Sequence, residues 1–232
     1  MDNVRVLSTL ALKGAVHSLA GQFEIASGLR IDADFAPTLA LLARLRGAEA
    51  ADVVILTREG LDEMAREGRV VADSCVDLAR SYVGLAVKAG AVHPDIATEP
   101  ALRAALKAAR SVAYSRIGAS GILFAQLIEQ LGIASEINAK ATIIPSGFTA
   151  ERLVSNEADL AVQQISELKL VGGAEIVGPI PRELQGSPAV FSAGRLAASN
   201  NVAPSNRLLK FLASSEAAPA LRQSGLEPCI SP

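Results

Sequence analysis

The sequence predicts an α/β protein of two lobes, each with a mainly parallel sheet flanked by helices, joined by two crossover strands. Apolar runs typical of strands alternate with helical patterns along most of the 232 residues, an order that favours parallel sheets covered by helices on both faces. The length suits two lobes of roughly 100–120 residues each. The alternation is interrupted near residues 77–84, and a strand near residues 189–196 leads back to the first lobe. We therefore expect lobe 1 to comprise residues 1–80 and 193–232, and lobe 2 residues 81–192.

The first predicted elements are strand–helix units. Apolar residues recur at helical spacing between Leu10 and Ser27, and Gly28 follows as a stop signal. The apolar face of this helix is predicted to hold Leu12, Val16, Leu19, Phe23 and Ile25. The expected elements are, in order, strand Val4–Leu7, helix Leu10–Ser27, strand Leu29–Phe35, helix Pro37–Arg46, buried strand Ala51–Leu56 and helix Glu59–Glu67.

The middle of the chain differs, because two extended runs, Val70–Val76 and Tyr82–Val87, follow each other with no obvious helix between them. We interpret them as the crossing between the lobes. The expected elements after this crossing are helix Pro100–Ala109, strand Ser111–Ser115, helix Ser120–Leu131, strand Ala141–Ile144, helix Thr149–Ser155, strand Leu160–Gln163, helical turn Ile165–Leu168, strands Ala174–Val177 and Ala189–Ser192, and helices Asn206–Ala213 and Glu216–Gln223.

Composition excludes several classes of function. Half of the residues are apolar, a fifth are charged, aromatics are 3% and the formal net charge is −2, so a folded protein with no nucleic-acid partner is expected. The chain has no run of 18 apolar residues, and membrane insertion is not expected. The two cysteines, Cys75 and Cys229, are expected to be free thiols, with a disulfide as the open alternative.

Neither metal-ligand spacing nor a dinucleotide fingerprint occurs in the sequence, so no cofactor is predicted. No basic and apolar leader precedes the first strand at Val4. The chain as it stands predicts a cytoplasmic protein, and a periplasmic one if a signal peptide was removed.

The turns that lead from strands into helices are the candidate site. Ligands of open α/β sheets bind at the carboxyl ends of strands. The turn Ser115–Gly121 is the most informative, because serines, an arginine and glycines precede a helix whose first N–H groups are unpaired. The candidate ligand-binding residues at these turns are Ser8, Thr9, Thr38, Arg58, Ser115, Arg116, Ser120, Gly121, Gln163 and Gln164.

Each candidate also has a structural interpretation. A hydroxyl at a helix start is an ordinary N-cap worth ~1 kcal/mol, which alone accounts for Thr38. Arg58 and Arg116 are either surface ion-pair partners or anion clamps, and both alternatives are open. Gln163 and Gln164 are either ligand contacts or the polar start of the next helix.

Four segments carry a resemblance to a known family: Val6–Thr9, Gly47–Val54, Ala119–Gly121 and Asn156–Val162. Their order resembles the type II periplasmic binding-protein fold, and its molybdate-binding branch in particular. Asn156 stands where that branch has glycine. The resemblance covers nearly the whole chain. It implies that a small anionic ligand binds in a cleft between the lobes, and that an ABC transporter permease is the partner if the protein is exported.

The sequence departs from the molybdate-binding pattern in two turns. Ala36–Thr38 replaces a serine-rich turn, and Gln163–Gln164 replaces a tyrosine. Arg58 and Arg116 add positive charges whose planar forks suit carboxylates. These departures predict an organic anion, a di- or tricarboxylate, as the ligand. A molybdate- or oxyanion-binding component of an ABC transporter is the further alternative.

A second resemblance concerns Ala113–Ser115, Ala161–Glu167 and Val190–Gly194. These runs are similar to a subgroup that includes aconitate isomerase, which moves a double bond in a tricarboxylate. It implies a cofactor-free isomerase as the alternative to a binding protein. Such a reaction needs a base, and Tyr114, a serine and Glu167 are the open candidates.

Overall fold

The computed structural model describes residues 3–229. The described chain divides into two compact units. Unit 1 runs as far as Ser81 and resumes at Ala189, and unit 2 comprises Tyr82–Pro188. The strands are β1 Asn3–Thr9, β2 Arg30–Ala36, β3 Val53–Thr57, β4 Val76–Ser81, β5 Val83–Lys88, β6 Val112–Ser115, β7 Ala141–Ile144, β8 Leu160–Gln164, β9 Ala174–Pro179, β10 Ala189–Arg195 and β11 Glu227–Pro228.

The helices follow most strands directly, as the alternating pattern predicted. They are α1 Lys13–Ser27, α2 Thr38–Arg46, α3 Arg58–Arg66, α4 Glu99–Ala108, α5 Ala119–Gln130, α6 Ala134–Ala139, α7 Glu151–Val154, α8 Ile165–Leu168, α9 Arg182–Gln185, α10 Val202–Leu212 and α11 Ala218–Gln223. Short 3-10 helices occupy Leu10–Leu12 and Ala72–Ser74.

The sheet of unit 1 has the strand order β11-β4-β10-β3-β1-β2. β1 is parallel to both β2 and β3, whereas β10 is antiparallel to β3 and β4, and β11 is antiparallel to β4. The expectation of a mainly parallel sheet therefore holds for the β3-β1-β2 part alone. Strand β10 comes from unit 2 and not through a strand–helix crossover, and it lies antiparallel between β3 and β4, which α3 connects.

The sheet of unit 2 has the order β7-β6-β8-β5-β9. β6 is parallel to β7 and β8, and β5 is antiparallel to β8 and β9. Each unit thus carries a mixed sheet with a parallel part, whose strand ends lead into helices. The predicted two-lobed α/β class is confirmed with this correction.

Both faces of each sheet are covered, which explains the uninterrupted apolar strands. In β3, Val53 and Ile55 pack into one buried cluster, while Val54 and Leu56 pack into another on the opposite face. In β6, the side chain of Ala113 likewise lies in a different cluster from those of its neighbours. A strand buried on both faces reads as a continuous apolar run.

Some predicted details are wrong. Ile25 is 90% exposed, because two residues after the buried Phe23 the helix has turned about 200°. The run Val70–Val76 holds a 3-10 helix, and the strand comprises Val76–Ser81. Helices α6 and α9 were not predicted.

Two further findings concern the whole described chain. Cys75 and Cys229 are both free thiols. Between residues 3 and 229, no helix combines the length and the apolar character that crossing a bilayer requires.

Candidate functional site

In unit 1, Ser8 and Thr9 end strand β1. Ser8 is fully buried, and its Oγ donates a hydrogen bond to the carbonyl oxygen of Thr9 at 3.0 Å. The Oγ1 of Thr9 is buried and has no hydrogen-bond partner within the described residues. Because an unpaired buried hydroxyl costs free energy, Thr9 is the better candidate for a ligand contact.

Thr38 begins helix α2 after the extended residue Pro37. The hydroxyl makes no capping hydrogen bond there, because Pro37 and not Thr38 occupies the cap position. The residue is 7% exposed. The N-cap interpretation of Thr38 is therefore wrong, and its role as a ligand contact stays a prediction.

Arg58 begins helix α3 and is engaged by two carboxylates. Its Nε lies 3.0 Å from Asp62 Oδ1 and its Nη1 lies 2.9 Å from Asp77 Oδ1. Burial alone raises the pKa of Asp77, but hydrogen bonds from Ser192 and Arg58 outweigh it and hold that pKa below its usual value. These contacts favour the surface ion-pair alternative for Arg58 over the anion clamp.

In unit 2, the turn between β6 and α5 brings small polar groups to a helix start. Ser115 Oγ accepts a hydrogen bond from Ile117 N at 3.3 Å, and Ser120 lies buried in the first turn of α5. Gly118 caps this 12-residue helix without a side chain. Gly121 is required by packing, because a Cβ there would lie 1.3 Å from the carbonyl oxygen of Ser115.

Arg116 lies exposed in the same turn. Its Nη2 is 3.4 Å from Asn138 Oδ1, which also accepts a hydrogen bond from the hydroxyl of buried Tyr114. No ion pair to Arg116 occurs among residues 3–229. The guanidinium is thus held beside the start of α5 by a neutral amide and keeps its positive charge uncompensated. Asn138 was missed because it lies on the unpredicted helix α6.

Gln163 and Gln164, adjacent at the end of β8, have different environments. Gln163 Oε1 accepts hydrogen bonds from Thr149 N at 2.8 Å and Thr149 Oγ1 at 3.0 Å, and its Nε2 donates to the carbonyl of Gly147 at 3.1 Å. Its side chain therefore holds the loop before α7. Both polar side-chain atoms of Gln164 are buried without a partner in the described part of the chain.

Two residues of α8 extend this polar turn. Ser166 is 1% exposed, and its Oγ is also without a described partner. Burial raises the pKa of Glu167 to about 8, although hydrogen bonds from the Gln164 backbone and the Gln163 side chain act in the opposite direction. The described residues contain no group of three or more His, Cys, Asp or Glu side chains placed to hold a metal ion.

Comparison with known proteins gives the family. A family model described as bacterial extracellular solute-binding protein matches residues 4–227. The chain belongs to this family. Aconitate isomerase from Pseudomonas sp is 36% identical to it over 234 residues, which cover 98% of this chain and 88% of that protein.

Solved structures confirm the fold of this solute-binding family member. The Azotobacter vinelandii periplasmic molybdate-binding protein has a TM-score of 0.82 at 18% identity, covering 99% of each chain. The sulfate-binding protein of Mycobacterium tuberculosis H37Rv has a TM-score of 0.77 at 12% identity, covering 99% of this chain and 88% of that one. At these identities the similarity shows the fold and not the ligand.

Within unit 2, the structure brings Ser115, Arg116, Ser120 and Gly121 together at one helix start. Within unit 1, Ser8 and Thr9 adjoin each other on β1. Among the candidate residues between positions 3 and 229, Arg116 is thus a cation without a carboxylate partner, whereas Arg58 is already paired with carboxylates and the other candidates are neutral.

Proposed function

We propose that the chain binds a small organic anion with more than one carboxylate. The observation that supports this most strongly is the turn at the start of α5. There an exposed arginine without a carboxylate partner in the described chain lies in the same turn as the buried residues Ser115 and Ser120. The N-terminus of a helix and a guanidinium both stabilise negative charge.

A carboxylate suits this turn better than a tetrahedral oxyanion. The planar guanidinium of Arg116 presents parallel N–H donors that match the two oxygens of a carboxylate. The relative at 36% identity is named for aconitate, which carries three carboxylates. Arg58 no longer contributes to this argument, because Asp62 and Asp77 already compensate its charge.

The remaining residues have narrower proposed roles. Ser8, Thr9 and Thr38 are proposed as neutral hydrogen-bond donors from unit 1, with Thr9 favoured by its unpaired hydroxyl. Gly121 contributes by letting α5 approach the end of β6 closely. We propose that Gln163 supports the site without touching the ligand, whereas Gln164 contacts the ligand.

Isomerisation of the bound anion is the second candidate function. It is favoured by the 36% identity to an aconitate isomerase over 98% of this chain. In that case the protein is a cofactor-independent enzyme. In the first case it is a binding protein, for which an ABC transporter permease is the proposed partner if the protein is exported.

A thermal-shift screen tests the proposal. Purified protein is heated with molybdate, tungstate, sulfate and a panel of di- and tricarboxylates at constant ionic strength. A ligand at 100 times its Kd stabilises the folded state by ~2.7 kcal/mol, so we expect a clear rise in Tm with a di- or tricarboxylate. A rise with molybdate or tungstate alone contradicts the proposal.

Each stabilising compound is then incubated with the protein in heavy water and followed by proton NMR. Loss of a carbon-bound proton signal, or appearance of an isomer, identifies the enzyme. A compound that stabilises the protein and stays chemically unchanged identifies the binding protein.

A further inference from the structure

The turn from β8 into α8 contains three polar side chains in four residues. Gln164 and Ser166 are each 1% exposed, and the amide oxygen, the amide nitrogen and the hydroxyl all lack partners in the described chain. Buried polar groups in folded proteins are nearly always hydrogen-bonded. Two neighbouring side chains left unpaired in this way point to a polar ligand group that satisfies them.

Glu167, the third polar residue, is 7% exposed and its Oε2 accepts a hydrogen bond from Gln164 N at 3.1 Å. Helix α8 packs against β5, β8 and β9. The charged groups on these strands are engaged elsewhere, since Lys88 bonds to Asn156 and Glu175 pairs with His93. Burial, and not a neighbouring charge, is therefore what holds Glu167 protonated up to a pKa of about 8.

The side chain of Gln163 is a second hydrogen-bond partner of the Glu167 carboxyl group. Its amide oxygen is occupied twice by Thr149 and its amide nitrogen donates to Gly147. These contacts determine which way the amide faces. The amide nitrogen is therefore the group left to bond to Glu167.

We propose that Glu167 is the group that transfers the proton when the bound polycarboxylate isomerises, and that Gln164 and Ser166 bind the carboxylate next to the reacting carbon. This inference rests on the proposed function, in its isomerase form. It adds the identity of the base and of the groups that stabilise the developing negative charge.

The step balances within the substrate and one side chain. Ionised Glu167 takes a proton from the methylene carbon adjacent to a carboxylate. The electron pair of that C–H bond becomes the new carbon–carbon double bond, and the pair of the former double bond takes the proton back from Glu167 at the far carbon. No oxidant, reductant or co-reactant is consumed. The amide nitrogen of Gln164 and the hydroxyl of Ser166 donate hydrogen bonds to the carboxylate while it carries extra charge.

The test uses the full chain, with cis- and trans-aconitate as the probes. Glu167→Gln removes the ionisable group and keeps an acceptor for Gln164 N, and Glu167→Asp retracts the carboxyl by one methylene. Glu183→Gln is the matched control, because Glu183 is an exposed carboxylate on helix α9. Binding is measured by calorimetry, proton exchange by NMR in heavy water, and folding by Tm.

We expect the wild type and Glu183→Gln to exchange the methylene proton at equal rates. Glu167→Gln should bind with a Kd within about threefold of the wild type and exchange at least about a hundredfold more slowly, which is the usual contribution of a general acid–base group. Glu167→Asp should keep a residual rate. The wild-type rate should rise with pH up to about 8 and then level off.

Four results overturn the inference. If the proton-exchange rate of Glu167→Gln is within tenfold of the wild-type rate, Glu167 is not the group that transfers the proton. Binding by the wild type without exchange refutes proton transfer and leaves the anion-binding proposal standing, whereas absence of binding refutes that proposal itself. If Glu167→Gln does not fold, the wild-type pH profile decides, and a rate independent of pH between 6 and 9 overturns the inference.

Discussion

Arg58 in unit 1 and Arg116 in unit 2 occupy similar places in the sequence, each following an apolar strand and preceding a helix, yet their surroundings differ. Arg58 donates to Asp62 and Asp77 at 3.0 and 2.9 Å. Arg116 contacts the neutral amide of Asn138, and no carboxylate pairs with it in the part of the chain that is described. Whether an arginine at a strand end can bind an anion therefore depends on the carboxylates around it. Its position at the strand end is not sufficient.

Part of this difference can be predicted from the sequence. Asp62 lies four residues after Arg58 on the same helix, a spacing at which opposite charges pair. The residue four positions after Arg116 is Ser120. The other half of the Arg58 ion pair, Asp77, lies on β4 and comes into contact only through folding.

The largest expected effect concerns the backbone beneath Arg116. Gly121→Ala places a Cβ 1.3 Å from the Ser115 carbonyl oxygen, so α5 must move away from β6. We expect a loss of about 3 kcal/mol or more in the free energy of unfolding, measured by urea denaturation. Gly21→Ala in α1 of unit 1 is the control, since open space surrounds it and alanine should stabilise that helix by about 0.5–1 kcal/mol. Equal stability of Gly121→Ala and wild type would contradict the close approach of α5 to β6.

The next effect is on binding. Arg116→Ala should weaken the affinity for a tricarboxylate by roughly 1.5–3 kcal/mol, the range of a hydrogen bond to a charged group, measured by calorimetry. Arg58→Ala is the matched control and should change the affinity by less than about 0.5 kcal/mol, because its charge is already compensated. A reversed order of the two losses would show that the ion pairs of Arg58 open to admit the ligand.

Glu167 gives unit 2 a pH dependence of stability opposite in sign to that of Asp77 beside Arg58, because the pKa of Glu167 is raised and that of Asp77 is lowered. The pKa of Glu167 is about 8 in the folded chain and 4.5 for an ordinary glutamate. Between these values the folded state keeps a proton that the unfolded state has lost. Stability therefore falls as pH rises from about 4.5 to 8, by at most about 1.4 kcal/mol per pH unit. Urea denaturation of wild type and Glu167→Gln across this range should show the slope in the difference between them. A constant difference would mean that Glu167 is ionised in the folded protein at neutral pH.

The smallest effect is on the stability of unit 1. Arg58→Ala removes two ion pairs whose side chains are 40–48% exposed, and exposed pairs contribute little. We expect a loss of less than about 1 kcal/mol in urea denaturation. A loss above about 2 kcal/mol would identify Arg58 as a structural anchor between α3 and β4.

The sequence predicted the strand–helix turns of both units, because buried strands, helix periodicity and glycine stops are local signals. The sequence could not show that the side chain of Gln163 forms hydrogen bonds with Thr149 and Gly147, because these partners lie 14 and 16 residues away along the chain. Nor could it show that Asn138 lies beside Arg116. The direction in which each strand runs in its sheet could not be predicted either, because the apolar pattern of a strand such as β10 is the same for both directions.

Arginine-selective modification by phenylglyoxal, mapped by mass spectrometry with and without a tricarboxylate, tests the central claim most directly. Arg116 is exposed and should react in the free protein. Bound tricarboxylate should then protect Arg116 at least about tenfold while leaving Arg58 unchanged, because at 100 times Kd only about 1% of the sites are empty. Protection of Arg58 without Arg116, or protection of neither by a tricarboxylate that raises Tm, would contradict the assignment of the anion to the α5 turn.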